Sequence, residues 1–159
     1  MEYLFEQKSL LISSLSPDGF PEISYAPFVK DGNQVYMYLS AAANHYANLS
    51  HHGKCSVMAL VDESATKNIF ARNRVSFKCN AVKQDSVPEA IENMYSDRHG
   101  ETNYQHIKTM HDFDWFVMTI ESGRLVEGFG KAFDIAVKEG QLELTRITGK
   151  GHGHKPKTA

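Results

Sequence analysis

Alternation of apolar and polar residues predicts that most of this chain forms short β-strands. The clearest case is 74–82, where Val75, Phe77, Cys79 and Ala81 alternate with polar residues, as in a strand buried on one face. Shorter apolar or alternating runs predict the remaining strands at 9–15, 21–28, 35–39, 54–61, 113–120, 124–133 and 141–147.

Turn-forming residues separate these runs. Glycine and proline at 17–19 and glycine at 30–33 predict two turns, and glycine at 121–123 predicts another. Gly128 and Gly130 indicate a bulge or a sharp bend within the strand at 124–133.

Two stretches break the strand pattern and have helical composition, near 42–50 and 87–110. Many short strands with helices in two clusters indicate a mainly β protein with α insertions. We therefore expect a small antiparallel barrel and not a doubly wound sheet. Since no glycine-rich phosphate loop follows any predicted strand, nucleotide binding of that kind has no support.

Composition fits a single folded domain in a reducing compartment. The chain has 159 residues, of which 42% are hydrophobic. Its net charge of -2 argues against general nucleic-acid binding. Cys55 and Cys79 each lie inside an apolar run, which favours core thiols in a reducing compartment over a disulfide. The sequence contains no signal peptide and no apolar run of membrane-spanning length, so we expect a cytoplasmic protein without membrane contacts.

The last eleven residues differ from the rest of the chain. We expect 1–8 to be a short lead-in, 9–148 to be the barrel, and 149–159 to be a flexible arm carrying His152 and His154 on a glycine-rich backbone. This arm is either a solvated end or a mobile segment that delivers a neutral imidazole to a metal.

Three further positions could carry chemistry. Arg72 and Arg74 flank the start of a strand, where their guanidinium groups either bind carboxylates or phosphates or simply face solvent. His45 stands alone on a predicted helix, without a second histidine at metal-binding spacing. Asp112 precedes an apolar strand and could accept a hydrogen bond from an imidazole that ligates a metal.

Six segments, in order and spacing, resemble the haem-utilisation family of HugZ and HutZ proteins. This family degrades haem and has the split β-barrel of the pyridoxamine-phosphate oxidase superfamily. The segments are Ile23-Ser-Tyr-Ala-Pro-Phe28, His45-Tyr-Ala-Asn-Leu49, Phe70-Ala-Arg-Asn-Arg74, Asp112-Phe113, Glu127-Gly-Phe-Gly-Lys-Ala-Phe133 and Gly151-His-Gly-His-Lys155.

The resemblance implies a homodimeric split barrel with two equivalent haem sites at the subunit interface. It implies that His154 or His152 ligates the haem iron, with His154 favoured, and that Asp112 is the partner of that histidine. Arg72, with Arg74 beside it, is implied to pair with the haem propionates. His45 matches a family histidine near the haem.

The function implied is oxidative haem degradation of the haem oxygenase type, releasing iron and using an external electron donor. Two alternatives stay open. One is an FMN-binding oxidoreductase of the same barrel class, in which Arg72, Arg74 and Lys131 hold the phosphate. The other is a haem carrier or storage protein without catalytic activity.

Overall fold

An antiparallel sheet that curls on itself makes up most of the protein, whose computed structural model describes residues 1–149. The main strand order is β2-β1-β5-β6-β7-β4-β3, and β8 and β9 extend from β7. The strands are β1 (Ser9–Leu15), β2 (Pro21–Pro27), β3 (Val29–Asp31), β4 (Gln34–Ser40), β5 (Lys54–Leu60), β6 (Arg74–Gln84), β7 (Phe113–Val126), β8 (Ala132–Lys138) and β9 (Gln141–Arg146). The expected mainly β split barrel is confirmed.

Within residues 1–149, three α-helices and three short 3-10 helices accompany the strands, and the first 3-10 helix precedes β1. The α-helices are α1 (Asn44–His51), α2 (Glu89–His99) and α3 (Glu101–Lys108), and the 3-10 helices are Glu2–Glu6, Glu63–Ala65 and Ile69–Ala71. Helix α1 connects β4 to β5, whereas α2 and α3 lie between β6 and β7. Among residues 1–149, each helix is too short or too polar to cross a membrane.

The main core lies inside the curl of the sheet. Val75, Phe77, Cys79 and Ala81 on β6 are all buried there, so the alternation read from the sequence is confirmed. Cys55 faces Cys79 across the β5–β6 pair, and both thiols are buried and free. Burial raises the pKa of the Cys55 thiol to about 12, which leaves it protonated and unreactive at neutral pH.

A second, aromatic core lies between the sheet and helices α2 and α3. Its buried residues are Val29, Tyr36, Ile91, Tyr95, Tyr104 and Trp115. Ile91 and Tyr95 face it from α2 at the spacing of one helical turn. This packing holds the two helices against β4 and β7, the strand that follows Asp112.

Residues 1–8, expected to be a lead-in, pack into the barrel. Leu4 and Phe5 on the 3-10 helix are buried in the main core, and the Phe5 ring stacks on Phe77 at 5.9 Å between centroids. The guanidinium of Arg98 on α2 donates to the carbonyls of Phe5 and Gln7. Apolar burial and these main-chain hydrogen bonds therefore join the N-terminus to the domain.

The turn predicted at 121–123 is wrong, because β7 runs without interruption through these residues. A bulge in its pairing with β6 lies here, between Ser122 and Ile120. The chain turns instead after Val126, where Gly128 (φ 63°) and Gly130 (φ 75°) adopt left-handed conformations. Gly123 is needed for close packing, since a Cβ there would lie 2.6 Å from the Phe77 ring.

Candidate functional site

A groove beside α1 is lined in part by His45, one of the predicted site residues. Its volume is about 680 Å³. The lining residues are Ser14, Phe20, Pro21, Glu22, Ile23, Ser24, Tyr25, Ala43, Asn44 and His45. The side chains of Phe20, Ile23 and Tyr25 are largely exposed and form an apolar rim. An apolar rim with few polar groups below it is typical of a small-molecule site.

Polar side chains of this region form two separate sets of hydrogen bonds. His45 Nδ1 lies 2.8 Å from Ser24 Oγ on β2. The buried Asn48 Nδ2 donates to Ser14 Oγ at 3.0 Å and to Glu22 Oε2 at 2.9 Å. Each polar side chain is therefore oriented by a neighbour from another element.

Ser14, Glu22, Ser24 and Asn48 were not among the predicted site residues. One signal was available, because His45, Asn48 and Leu49 are spaced so that they share one face of α1, and all three are buried. A polar residue on a buried helical face needs a hydrogen-bond partner, which points to a polar network. The partners themselves come from β1 and β2, and local sequence does not identify them.

Burial lowers the pKa of His45 below its ordinary value of 6.5. The imidazole is therefore neutral at pH 7. With Nδ1 engaged by Ser24, Nε2 remains the nitrogen available to a ligand in the groove. The groove thus offers a neutral, oriented imidazole beside an apolar wall.

Acidification is expected to reduce the free energy of unfolding as the pH falls below about 6.5. Burial depresses the pKa of both His45 and His99 in the folded protein, so the unfolded chain takes up protons first. This stability is present above pH 6.5 and is lost as the pH falls towards the folded-state pKa values. Urea unfolding at about pH 7.5 and about pH 5.5 measures the difference.

His45→Gln provides the matched comparison for this pH effect. Glutamine keeps a polar group next to Ser24 but does not titrate, so the variant should lose less stability on acidification than the wild type. An equal loss of stability in the variant and the wild type would show that titratable groups other than His45 cause the pH effect.

Asp112 lies at the same end of the sheet as α1. Its Oδ2 accepts a hydrogen bond from Ser40 Oγ at 2.7 Å, and its main-chain oxygen accepts from the Ala41 amide at 2.6 Å. The carboxylate is exposed.

A second set of contacts ties α1 to the strand that follows Asp112. The Tyr46 hydroxyl donates to Asp114, and Lys83 Nζ lies 2.8 Å from Asp114 and 2.9 Å from the Tyr46 oxygen. Hydrogen bonds lower the pKa of the Asp114 carboxyl, and the one from Lys83 has a larger effect than the one from Tyr46. These contacts hold α1, which contains His45, next to the start of β7, which follows Asp112.

Arg72 and Arg74 lie at the opposite end of β7. Arg74 pairs in register with Val126, whereas Asp112 precedes Phe113 at the start of that strand. A dozen residues of extended strand separate them, roughly 40 Å of path. One protomer therefore does not bring the arginines next to Asp112.

The arginines form part of an edge that is both cationic and aromatic. Arg72 donates to the Val61 carbonyl and pairs with Glu63 at 3.1 Å. Phe70 is 85% exposed and Phe129 is 62% exposed. The Gly128 amide donates to Asn73 Oδ1 at 2.8 Å, so the 3-10 segment that holds Phe70 lies beside the turn that holds Phe129 and Lys131.

The proposed iron ligands, His152 and His154, lie outside the described residues. Within residues 1–149, no group of three or more histidine, cysteine or acidic side chains is arranged to hold a metal ion.

Comparisons with known proteins give the family. Residues 1–127 match the family model described as pyridoxamine 5'-phosphate oxidase. The chain is 33% identical over 139 residues to a Vibrio cholerae protein named heme oxygenase HutZ, a match that covers 85% of this chain and 78% of that protein.

Solved structures agree with this match. Campylobacter jejuni ChuZ aligns with a TM-score of 0.82 and 28% identity over 97% of this chain. The present chain spans only 63% of the ChuZ chain. A crystal structure of HutZ, described as the heme storage protein from Vibrio cholerae, aligns with a TM-score of 0.73 and 30% identity over 81% of this chain and 92% of HutZ. The chain therefore belongs to the pyridoxamine 5'-phosphate oxidase family, in the group of split-barrel proteins that contains HutZ.

Proposed function

We propose that this protein binds haem and degrades it oxidatively as a homodimer, releasing the iron. The observation that carries the proposal is the 33% identity to heme oxygenase HutZ across most of both chains. Haem is the substrate in this proposal, and it supplies both the iron and the ring that is oxidised. The residues of this chain bind and orient it, and an external donor provides the electrons.

The described residues suit a flat apolar ligand with two carboxylates. Arg72 and Arg74 provide guanidinium groups for the propionates, next to the exposed rings of Phe70 and Phe129. His45 provides a neutral imidazole in an apolar groove. We assign iron ligation to His154 or His152, and we assign to Asp112 the orientation of that imidazole.

A second copy of the chain is needed to bring these groups together. The arginine edge and Asp112 lie at opposite ends of β7, so one complete site takes its parts from two protomers. Leu11, Ile23 and Tyr25 expose 41%, 78% and 68% of their surface on the outer face of the β1–β2 pair. Covering these apolar side chains with a second protomer would stabilise the dimer.

Haemin titration of the purified protein is expected to give a saturable complex with the Soret spectrum of histidine-ligated ferric iron. Replacing both tail histidines, His152→Ala and His154→Ala, should abolish this spectrum, because the iron would lose its axial nitrogen. The single variants show which histidine ligates. His106→Ala on α3 is the control and should retain the wild-type spectrum.

An unchanged Soret spectrum in the double variant would contradict the assignment of the iron ligand to the arm. A wild-type protein that takes up no haemin would contradict haem binding altogether. The two results are distinguishable in one titration series.

The second candidate function is haem storage, because the crystal structure of HutZ describes that protein as a heme storage protein. Ascorbate added to the haem complex under air separates the two. Loss of the Soret band with formation of a bile pigment supports degradation. A complex that persists supports storage.

FMN is the rival ligand suggested by the family description. Among residues 1–149, the lining of the groove beside His45 includes Glu22 but neither lysine nor arginine, a poor environment for a phosphate. The phosphate would instead need Arg72, Arg74 and Lys131, and the two arginines are the groups assigned to the haem propionates, so the two ligands would compete for them. Tight FMN binding without haem binding would favour an FMN-binding oxidoreductase over a haem-binding protein.

A further inference from the structure

A cavity between the N-terminal 3-10 helix and α2 lies apart from every residue assigned to haem. It has a volume of about 410 Å³. Its lining residues are Glu2, Phe5, Glu6, Phe28, Val29, Lys30, Met94 and Arg98. Phe5 and Phe28 make an aromatic floor, with their ring centroids 6.4 Å apart and the rings edge to face. The size is within the lower range of small-molecule sites.

Two cationic side chains lie over these aromatic rings. Lys30 Nζ lies 5.2 Å from the centre of the Phe5 ring, and Arg98 Cζ lies 5.1 Å from the centre of the Phe28 ring. In residues 1–149 neither cation has a carboxylate within salt-bridge distance, although Glu2 and Glu6 also line the cavity. Both glutamates are exposed. Residues 1–149 therefore hold neither cation in an ion pair, although the two glutamates reduce the positive charge of the cavity.

Arg98 also has an unsatisfied donor. Its Nη2 donates to the carbonyls of Phe5 and Gln7, which orients the guanidinium. Its Nε is buried and makes no hydrogen bond, and within the described residues it is the one buried side-chain nitrogen or oxygen in this state. Such groups are rare in folded proteins, because a buried donor without a partner has lost its hydrogen bonds to water and gained none. An anion in the cavity would offer oxygen acceptors to the guanidinium, and a small movement of the side chain would bring the buried Nε–H within reach of one.

We propose that this cavity binds a small monocarboxylate with an apolar body. The carboxylate would lie between Lys30 and Arg98, and the apolar part would rest on Phe5, Phe28 and Met94. The apolar floor favours such a ligand over inorganic phosphate, and the nearby Glu2 and Glu6 repel a dianion more than a monoanion. The site does not depend on the proposed haem function.

Benzoate is the probe, titrated into the haem-free full-length protein. Isotope-edited NMR should show saturable shifts at the Arg98 Nε–H, at the Met94 methyl group and in the amides of 2–6. Thermal unfolding should shift upwards with benzoate concentration, because the ligand binds only the folded protein. Lys30→Gln should weaken benzoate binding by about fivefold without unfolding the protein, since Lys30 holds none of the main chain.

Three comparisons make the result specific. Benzamide has the same shape without the charge and should not bind, and phosphate should bind more weakly than benzoate. Lys138→Gln, on the distant β8, should bind benzoate as the wild type does. Equal binding of benzamide or phosphate, equal binding by Lys30→Gln, or shifts that do not saturate would each overturn the proposal. None of these results bears on haem, so the two proposals fail independently.

Discussion

Replacing Asp112 with asparagine is expected to lower haem affinity and the rate of haem degradation by about 10- to 100-fold. Asparagine keeps the shape of the side chain and can still accept from Ser40, which lies 2.7 Å from Asp112 Oδ2. It removes the negative charge that would hold an N–H of the ligating imidazole. The imidazole would then be less well oriented and would donate less charge to iron.

Two measurements separate this role from a structural one. Haemin titration gives the affinity, and resonance Raman spectra of the ferrous complex report the strength of the iron–histidine bond. This bond should weaken in Asp112→Asn. Asp97→Asn, on the exposed face of α2, is the control for removing one negative charge and should match the wild type.

A ferrous Asp112→Asn complex with a wild-type iron–histidine frequency would show that Asp112 does not contact the ligand. Loss of affinity with that frequency unchanged would instead indicate a disturbed fold at the start of β7. Thermal unfolding of the haem-free variant checks this, and we expect it to equal the wild type because Asp112 is exposed.

The strands were predictable because their signal is local. Period-two alternation on β6 gives the burial of Val75, Phe77, Cys79 and Ala81 directly. Asp31, Gly32 and Asn33 likewise mark the β3–β4 hairpin, where Gly32 has φ 53°. These features depend on residues that are neighbours in sequence.

The partners of the site residues were not predictable, because they come from distant parts of the chain. His45 finds Ser24 on β2, and Tyr46 finds Asp114 on β7. The family resemblance selected Arg72 and Asp112, but nothing in the sequence indicates that β7 separates them within a protomer. Leu4 and Phe5 were underestimated for the same reason, since their packing partners lie in β6 and α2.

Gly123 shows where a local signal misleads. Glycine serves turns, but it also permits close approach of backbone and side chains, and the sequence does not distinguish the two uses. In the structure Gly123 pairs with Phe77 in register, next to the bulge in β7. Adding a methyl group at Gly123 therefore tests whether the close approach to Phe77 requires glycine.

Gly123→Ala is expected to destabilise the protein by about 3 kcal/mol. The new Cβ would lie 2.6 Å from Cδ1 of Phe77 and 2.6 Å from the carbonyl oxygen of Ser76. Phe77 is fully buried beneath Phe5, so its ring has little room to move away. The carbonyl belongs to the β6 backbone and moves only if the sheet distorts. Thermal unfolding should show a midpoint lowered by roughly 6–12 °C, and urea unfolding should show a lower midpoint concentration.

Gly128→Ala is the matched control, because it adds the same methyl group where nothing lies within 4 Å. Gly128 has φ 63°, so alanine there costs about 1 kcal/mol through backbone strain alone. If the steric clash determines the loss of stability, Gly123→Ala is the more destabilising of the two variants. The double variant Gly123→Ala/Phe77→Leu, in which the clashing ring is removed, should then lose less stability than the sum of the two single variants. If Gly123→Ala were as stable as Gly128→Ala, the close approach of β7 to Phe77 would not be a constraint on the fold.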